Sequence, residues 1–337
     1  MPKPKVHHQE AAPLTGVVFK KKLGAYYARV DDQIIVCTLS SKLRKHLVYP
    51  TADRSSLGHR SVQEVKMIRE LDPVAVGDLV RIVDAGEGSG VITEVEPRRN
   101  KFVRPAAGNK EQSQVIAANL DQVVMIFAAA QPRPTWHLLD RYLIVVEAEG
   151  LRPLICITKA DLMEPEALVA DAEVYRRLDY PVVITSTRQG IGLDDLHTAL
   201  QGKLSVFVGK SGVGKTSLLN ALQPGLGLRV NEISESTGKG RHTTTHLEIF
   251  YLDRDSRVVD TPGVKEFGLW GLDAYDLELD YLFPEMRPLL GQCQFGNSCV
   301  HLNEPGCAIK AAVSAGVIHE ERYRSYTLIM NEAASKD

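Results

Sequence analysis

Gly209-Lys210-Ser211-Gly212-Val213-Gly214-Lys215-Thr216 reads GKSGVGKT, preceded by the apolar run LSVFV and followed by Ser217 and the apolar-periodic LLNAL. A buried strand, a glycine turn and a helix are therefore expected in succession. The pattern GxxxxGK[ST] has a physical meaning. Glycines let backbone N–H groups point inward at phosphates, the lysine reaches the β- and γ-phosphates, and the hydroxyl ligates Mg²⁺. Gly209, Lys210, Ser211, Gly212, Val213, Gly214 and Ser217 are the expected cradle, with Lys215 on the terminal phosphates and Thr216 on the metal. A chance match in a chain of this length has odds of roughly one in a hundred at average composition, and the strand-turn-helix context lowers them. The expected ligand is a nucleoside triphosphate.

The base is addressed by residues on the N-terminal side. Thr158-Lys159-Ala160-Asp161 follows the apolar run PLICI and resembles the NKxD motif that reads guanine in GTPases. A carboxylate at Asp161 can accept hydrogen bonds from guanine N1–H and the 2-amino group, donors that adenine lacks there. ATP would leave that acceptor unpaired, so discrimination could be large. Lys159 would lie along the base and the phosphate loop. Thr158 stands where the usual Asn does, which weakens either the contact to N7 of the base or the tie to the phosphate loop. An Asp at a helix start is more often an N-cap, so TKAD alone is weak. Ser186, in VVITSTRQGIG, again follows a strand, at the place where GTPases make a backbone contact to guanine O6.

On the C-terminal side, VVDTPG gives a DxxG pattern in which Asp260 supports Mg²⁺, usually through water, and the Gly263 N–H can sense the γ-phosphate. Between lies GKGRHTTT (238–245), a segment of the kind that supplies a switch threonine to Mg²⁺, from Thr243, Thr244 or Thr245. GTPases commonly orient the attacking water with a Gln just after DxxG; here that position is Val264, which cannot. His242 is the nearest candidate for that task, the alternative being an ordinary loop residue. The guanine-reading motifs precede the phosphate loop, the reverse of the usual order. A parallel sheet needs its strands in place, not in a given order, so a circularly permuted GTPase is expected.

Five cysteines are present. Cys37 and Cys156 lie in apolar strand-like runs and are expected as buried hydrophobes. Cys293, Cys299, His301 and Cys307 form a Cys3His set suited to one closed, structural Zn²⁺ site. AIKAAVSAG and EERYRSYTLIMNEAA read as helices beyond it.

The front of the chain differs. After a Pro-, Lys- and His-rich tail (1–11) expected to be disordered, five short strands (LTGVVF, AYYARV, QIIVCTL, DLVRIV, GVITEV) suggest an all-β OB-type barrel over 12–108. A basic loop carries Lys42, Arg44, Lys45, Arg54, Arg60, Lys66 and Arg69, and a second basic stretch places Arg98, Arg99, Lys101 and Arg104 around Phe102. For any single Lys or Arg, solvated surface is the commoner role; barrel and basic loops together point to RNA. The polar segment Gly108–Gln114 is expected as a linker to an α/β domain over 113–287, followed by a zinc lobe with helices over 288–337.

Composition agrees once divided. The 337 residues hold 40 Lys+Arg and 42 Asp+Glu, which would argue against a nucleic-acid partner. Residues 1–112, however, hold 19 and 13, a balance of +6, so the basic excess sits on the barrel. No apolar run reaches a bilayer's thickness and the start lacks an apolar signal core, so no membrane association or secretion is expected.

Barrel, permuted GTPase and Cys3His lobe, in this order, resemble the ribosome small subunit-dependent GTPase A family (RsgA, also called YjeQ) over about residues 12–334. The closest matches are GKSGVGKTSLLN, GRHTTTH, DTPGVKEFGL and the NEPGCA segment. The resemblance implies a GTP hydrolase that acts late in small-subunit maturation and is stimulated by the subunit. It further implies the subunit and its rRNA as partners, GTP/GDP, Mg²⁺ and Zn²⁺ as cofactors, a monomer, and a cytoplasmic or chloroplast-stromal location. Two departures accompany it: Thr158 for Asn, and five residues rather than four between Cys293 and Cys299. A P-loop ATPase, or an RNA-binding scaffold with little hydrolysis, are the competing classes.

Overall fold

The computed structural model describes residues 13–22, 24–44, 72–106, 109–228, 247–260 and 278–334. Chain contacts divide it into two units, Met1–Asn119 with Thr245–Ile249, and Leu120–Thr244 with Phe250–Asp337. Among the described residues no helix is long and apolar enough to cross a membrane.

The first unit is built on β1 (Leu14–Lys22), β2 (Ala25–Val30), β3 (Gln33–Leu39), β4 (Leu79–Gly86) and β5 (Ser89–Val95), with a single helical turn, α1 (Ser41–Arg44), after β3. Period-2 alternation turns Val18, Tyr26, Ala28, Ile35, Cys37, Val80, Ile82 and Ile92 inward into one core. The pairings run β1–β2, β2–β3, β3–β5, β5–β4 and β4–β1, with β3–β5 parallel. That circuit closes the sheet and leaves no edge, the order expected of an OB barrel.

Two expectations for this unit need correction. Most of Gly108–Gln114, expected as a linker, belongs to a hairpin of β6 (Lys101–Ala106) and β7 (Asn109–Ala118). The polar start of β7 lacks an apolar alternation, so its backbone ladder leaves no trace in hydropathy. In the second basic stretch, the Arg98 guanidinium grips the fully buried Asp78 with two bonds (2.7 and 2.8 Å) and reaches the Pro73 carbonyl. Phe102 is buried. Arg98 is held inward because a buried carboxylate requires a paired cation, and Phe102 is too buried to offer a face to a base. Of the first basic loop, 45–69 lie outside the described residues.

The second unit carries a parallel sheet. Its strands are β8 (Gln122–Ala128), β9 (Pro153–Thr158), β10 (Val182–Ile184), β11 (Leu204–Val208) and β13 (Arg257–Asp260), after β12 (Leu247–Tyr251), in spatial order β10-β9-β8-β11-β13. β8 and β11 are buried along their whole length, as strands covered on both faces must be. The helices are α2 (Trp136–Ala148), α3 (Pro165–Arg176), α4 (Leu193–Leu200) and α5 (Lys215–Leu222). Leu196 and Leu200 of α4 and Leu218, Leu219 and Leu222 of α5 join Val124, Ile126, Cys156 and Phe207 in one core.

The C-terminal lobe, with α6 (Ala308–Ser314) and α7 (Glu320–Ala334), packs within this unit: Ile144 of α2 shares a core with Phe283, Met286, Ile309, Tyr326 and Ile329. At its centre is a buried guanidinium. Arg322 bonds Asp140 of α2 (2.7 Å) and Glu285 (2.7 and 3.1 Å), and Asp140 also accepts from Ser325 and Tyr175. A second α2 carboxylate, Glu147, is shared in the same manner between Arg287 (2.8 Å) and Tyr180 (3.0 Å). Arg322→Met would leave Asp140 and Glu285 buried without their cation, a loss of about 3–5 kcal/mol. Calorimetry should show a melting point lower by roughly 10 °C. Arg324→Met, at an exposed pair with Glu321 on the same helix, should change it little; equal effects from the two would contradict the network's role.

Candidate nucleotide pocket and metal centre

All five parallel strands present their carboxyl ends to one side, where ligands of open α/β sheets bind. Thr158 ends β9, Ser186 follows β10, the GKSGVGKT loop follows β11 and Asp260 ends β13. The sequence-distant motifs therefore share one rim.

The loop after β11 is shaped by glycine at two positions. A Cβ on Gly209 would fall on the Ile126 carbonyl oxygen, and Gly214 holds φ +96° where the chain turns into α5. Lys215 folds back over the loop, donating to the carbonyls of Gly209 (2.6 Å) and Lys210 (3.1 Å). Burial lowers its pKa, and the Asp260 charge opposes that shift. Phosphate oxygens would compete with those carbonyls for the same ammonium, at a helix N-terminus that itself favours anions.

The Asp161 loop docks on this one. The Thr158 hydroxyl lies 2.5 Å from the Val213 carbonyl and 3.3 Å from the Phe127 carbonyl, so the tie to the phosphate loop is kept despite the missing Asn. Lys159, in a left-handed conformation (φ +57°), directs its ammonium to the Gln131 carbonyl; burial lowers its pKa, with Asp161 opposing. Ser186 departs from its expected role. Its N–H pairs with the Ile191 carbonyl (3.0 Å), while its hydroxyl donates to Asp161 (2.6 Å) and accepts from the Gln189 N–H. It orients the carboxylate rather than offering a backbone donor. His242, Thr243, Thr244, Thr245 and Gly263 lie outside the described residues.

The metal centre is compact. One ligand atom from each of Cys293, Cys299, His301 and Cys307 lies within 4.8 Å of every other, and all four residues are buried. Tetrahedral zinc with Zn–S about 2.3 Å and Zn–N about 2.05 Å requires S···S near 3.8 Å and S···N near 3.6 Å. Cys293 and Cys307 are 3.9 Å apart, and His301 Nδ1 lies 3.5 and 3.4 Å from their sulfurs. The residues fit the ion, and the longer Cys293–Cys299 spacing does not exclude Cys293. Two supports escaped the sequence reading. Asp280 lies 3.2 Å from His301 Nε2, leaving Nδ1 to face the sulfurs. Glu304 accepts the N–H groups of Val300, Leu302 and Asn303, tying the loop around His301. A carboxylate about twenty residues before a candidate ligand carries no local signal; Glu304 at least sits between ligands.

Comparison with known proteins fits this arrangement. Residues 95–270 match the model of the RsgA GTPase family. A small ribosomal subunit biogenesis GTPase RsgA of Moorella thermoacetica is 37% identical over 324 residues, covering 96% of this chain and 99% of its own. The chain belongs to the RsgA GTPase family. The protein of that name from Gemmatimonas aurantiaca is 43% identical over 77% of this chain and 84% of its own. Among solved structures, YjeQ from Thermotoga maritima superposes with a TM-score of 0.68 at 31% identity, covering 95% of this chain and 98% of that one. YloQ, described as a circularly permuted GTPase, gives 0.68 at 31%, covering 99% of each. As an RsgA GTPase the chain is a GTP-hydrolysing enzyme with the permuted order read from its motifs.

The metal geometry predicts one zinc per chain, lost in Cys307→Ser. Asp280→Asn should retain it with affinity lowered about 10- to 100-fold, read by competition with a chromophoric chelator. An unchanged affinity would remove Asp280 from the site.

Proposed function

We propose that this protein hydrolyses GTP while bound to the small ribosomal subunit, acts in late maturation of that subunit, and turns over faster on it than alone. The observation that carries the nucleotide half is the docking of the Asp161 loop on the phosphate loop through Thr158, which sets a base-reading carboxylate and a phosphate cradle on one rim. The names of the relatives supply the ribosomal half.

Gly209 to Ser217 hold the phosphates, Lys215 neutralises charge that develops on them, and Asp161 reads the Watson–Crick edge of guanine. Thr216 and Asp260 would hold Mg²⁺, Asp260 through water, and the ion would supply neutralisation of phosphate charge. Gly263 senses the γ-phosphate. His242 positions the attacking water when the subunit is bound, and because Val264 cannot do so the free enzyme is slow. The barrel binds rRNA, the Cys3His centre holds one structural Zn²⁺, and the protein acts as a cytoplasmic monomer.

GTP turnover should rise strongly when purified small subunits are added, and the stimulation should weaken between about 50 and 200 mM salt, as phosphate contacts require. Absence of stimulation would remove the ribosomal reading and favour a scaffold with little hydrolysis. His242→Ala should bind GTP normally and lose the stimulated rate; full retention would make it an ordinary loop residue.

Asp161→Asn exchanges an acceptor for a donor on one side of the amide. Preference for GTP over ATP should fall by at least about tenfold, with xanthosine triphosphate, which carries an acceptor at position 2, gaining. Unchanged nucleotide preference would show that the base is read elsewhere.

A further inference from the structure

Thr158 in place of Asn leaves one of two contacts unmade, the tie to the phosphate loop or the contact to the base. The geometry identifies which. A threonine hydroxyl has one proton. At Thr158 it lies, buried, between two carbonyl oxygens, Val213 at 2.5 Å and Phe127 at 3.3 Å. Both are acceptors only, so the proton is committed inside the protein whichever it takes. An asparagine amide has two protons and could serve a loop carbonyl and a purine nitrogen together. Ser186, beside it in the base-side part of the rim, has likewise spent its proton, on Asp161 at 2.6 Å.

Guanine N7 is an acceptor. Toward it Thr158 can present only a lone pair or a methyl group, neither of which bonds it. We infer that this enzyme reads guanine by its Watson–Crick edge and leaves N7 unread, so that guanine nucleotides lacking that nitrogen are ligands of the same standing as GTP and GDP. The inference rests on the guanine reading of Asp161 and names a specificity of that site. Discrimination against adenine then falls on the Asp161–Ser186 pair, and position 158 serves the joint between the two loops.

Competition binding to the full-length protein, with GDP, 7-deaza-GDP and ADP, tests this directly. The deaza nucleotide replaces N7 by C–H and leaves the Watson–Crick edge intact. Its Kd should lie within about threefold of that of GDP; a larger loss, the roughly three- to tenfold that one net hydrogen bond is worth, would overturn the inference. Thr158→Asn restores a second donor and should open the gap between GDP and 7-deaza-GDP beyond about threefold. A variant that binds GDP with the wild-type ratio would show that position 158 does not govern N7. Should the variant fail to bind nucleotide, the wild-type ratio still decides. Failure of the guanine reading is seen separately, as ADP competing as well as GDP.

Discussion

One buried hydroxyl, that of Thr158, ties the Asp161 loop to the phosphate loop. It stands at the end of β9 and meets carbonyls at the end of β8 and in the loop after β11, so three neighbouring strand ends converge on one proton. The Val213 partner is 55 residues away in the chain. Permutation changes which loops connect the strands but not which strand ends are adjacent. A tie made across the sheet rather than along the chain therefore survives it. The Asp161 loop, placed before the phosphate loop in sequence, can then reach the same rim.

The C-terminal lobe is held by a different force. Asp140 and Glu147, two turns apart on one face of α2, are each shared between an arginine from the C-terminal part of the chain and a tyrosine from the end of α3 or just beyond it. Burying such charges gains little against a well-packed apolar alternative, because desolvation offsets the attraction. What the pairs contribute is register. Apolar contacts around Ile144 and Tyr326 tolerate sliding, whereas a guanidinium facing two carboxylates does not. The metal loop is thereby fixed against the helix that follows β8, and His301 is set through Asp280 and the Tyr323 hydroxyl on its carbonyl.

Much of this was legible in the sequence because the signals are local. The five barrel strands, the phosphate loop with its helix and the two C-terminal helices follow from periodicity and glycine placement, and the Cys3His set from spacing. Closure of the barrel by a parallel β3–β5 pairing was not legible, since pairing partners are set by the whole circuit. The β6–β7 hairpin was hidden for a related reason: Asn109–Gln114 is uniformly polar in sequence and shows no period-2 alternation. Ser186 was found at the right place with the wrong role, because the choice between its N–H and its hydroxyl is made by Ile191, five residues on. Asp140 lies among apolar neighbours in a helical pattern, a mismatch that signals burial of a charge but does not name its partner, whereas Arg322, in the polar run EERYR, carries no such signal.

The basic front shows where composition stops informing. A balance of +6 over residues 1–112 is unaltered by internal pairing, since each pair removes one charge of either sign. Pairing decides instead which cations present a field to a polyanion. Arg98 with Asp78, Lys21 with Asp72 and Arg81 with Glu96 are dipoles closed within the unit. Their fields fall off faster than that of a lone charge, and at physiological salt only charges within about 8 Å of a phosphate act strongly on it. The excess therefore rests on cations other than these, and Arg98, which in sequence is indistinguishable from Arg99, is removed from the proposed rRNA contact by a buried carboxylate twenty residues upstream.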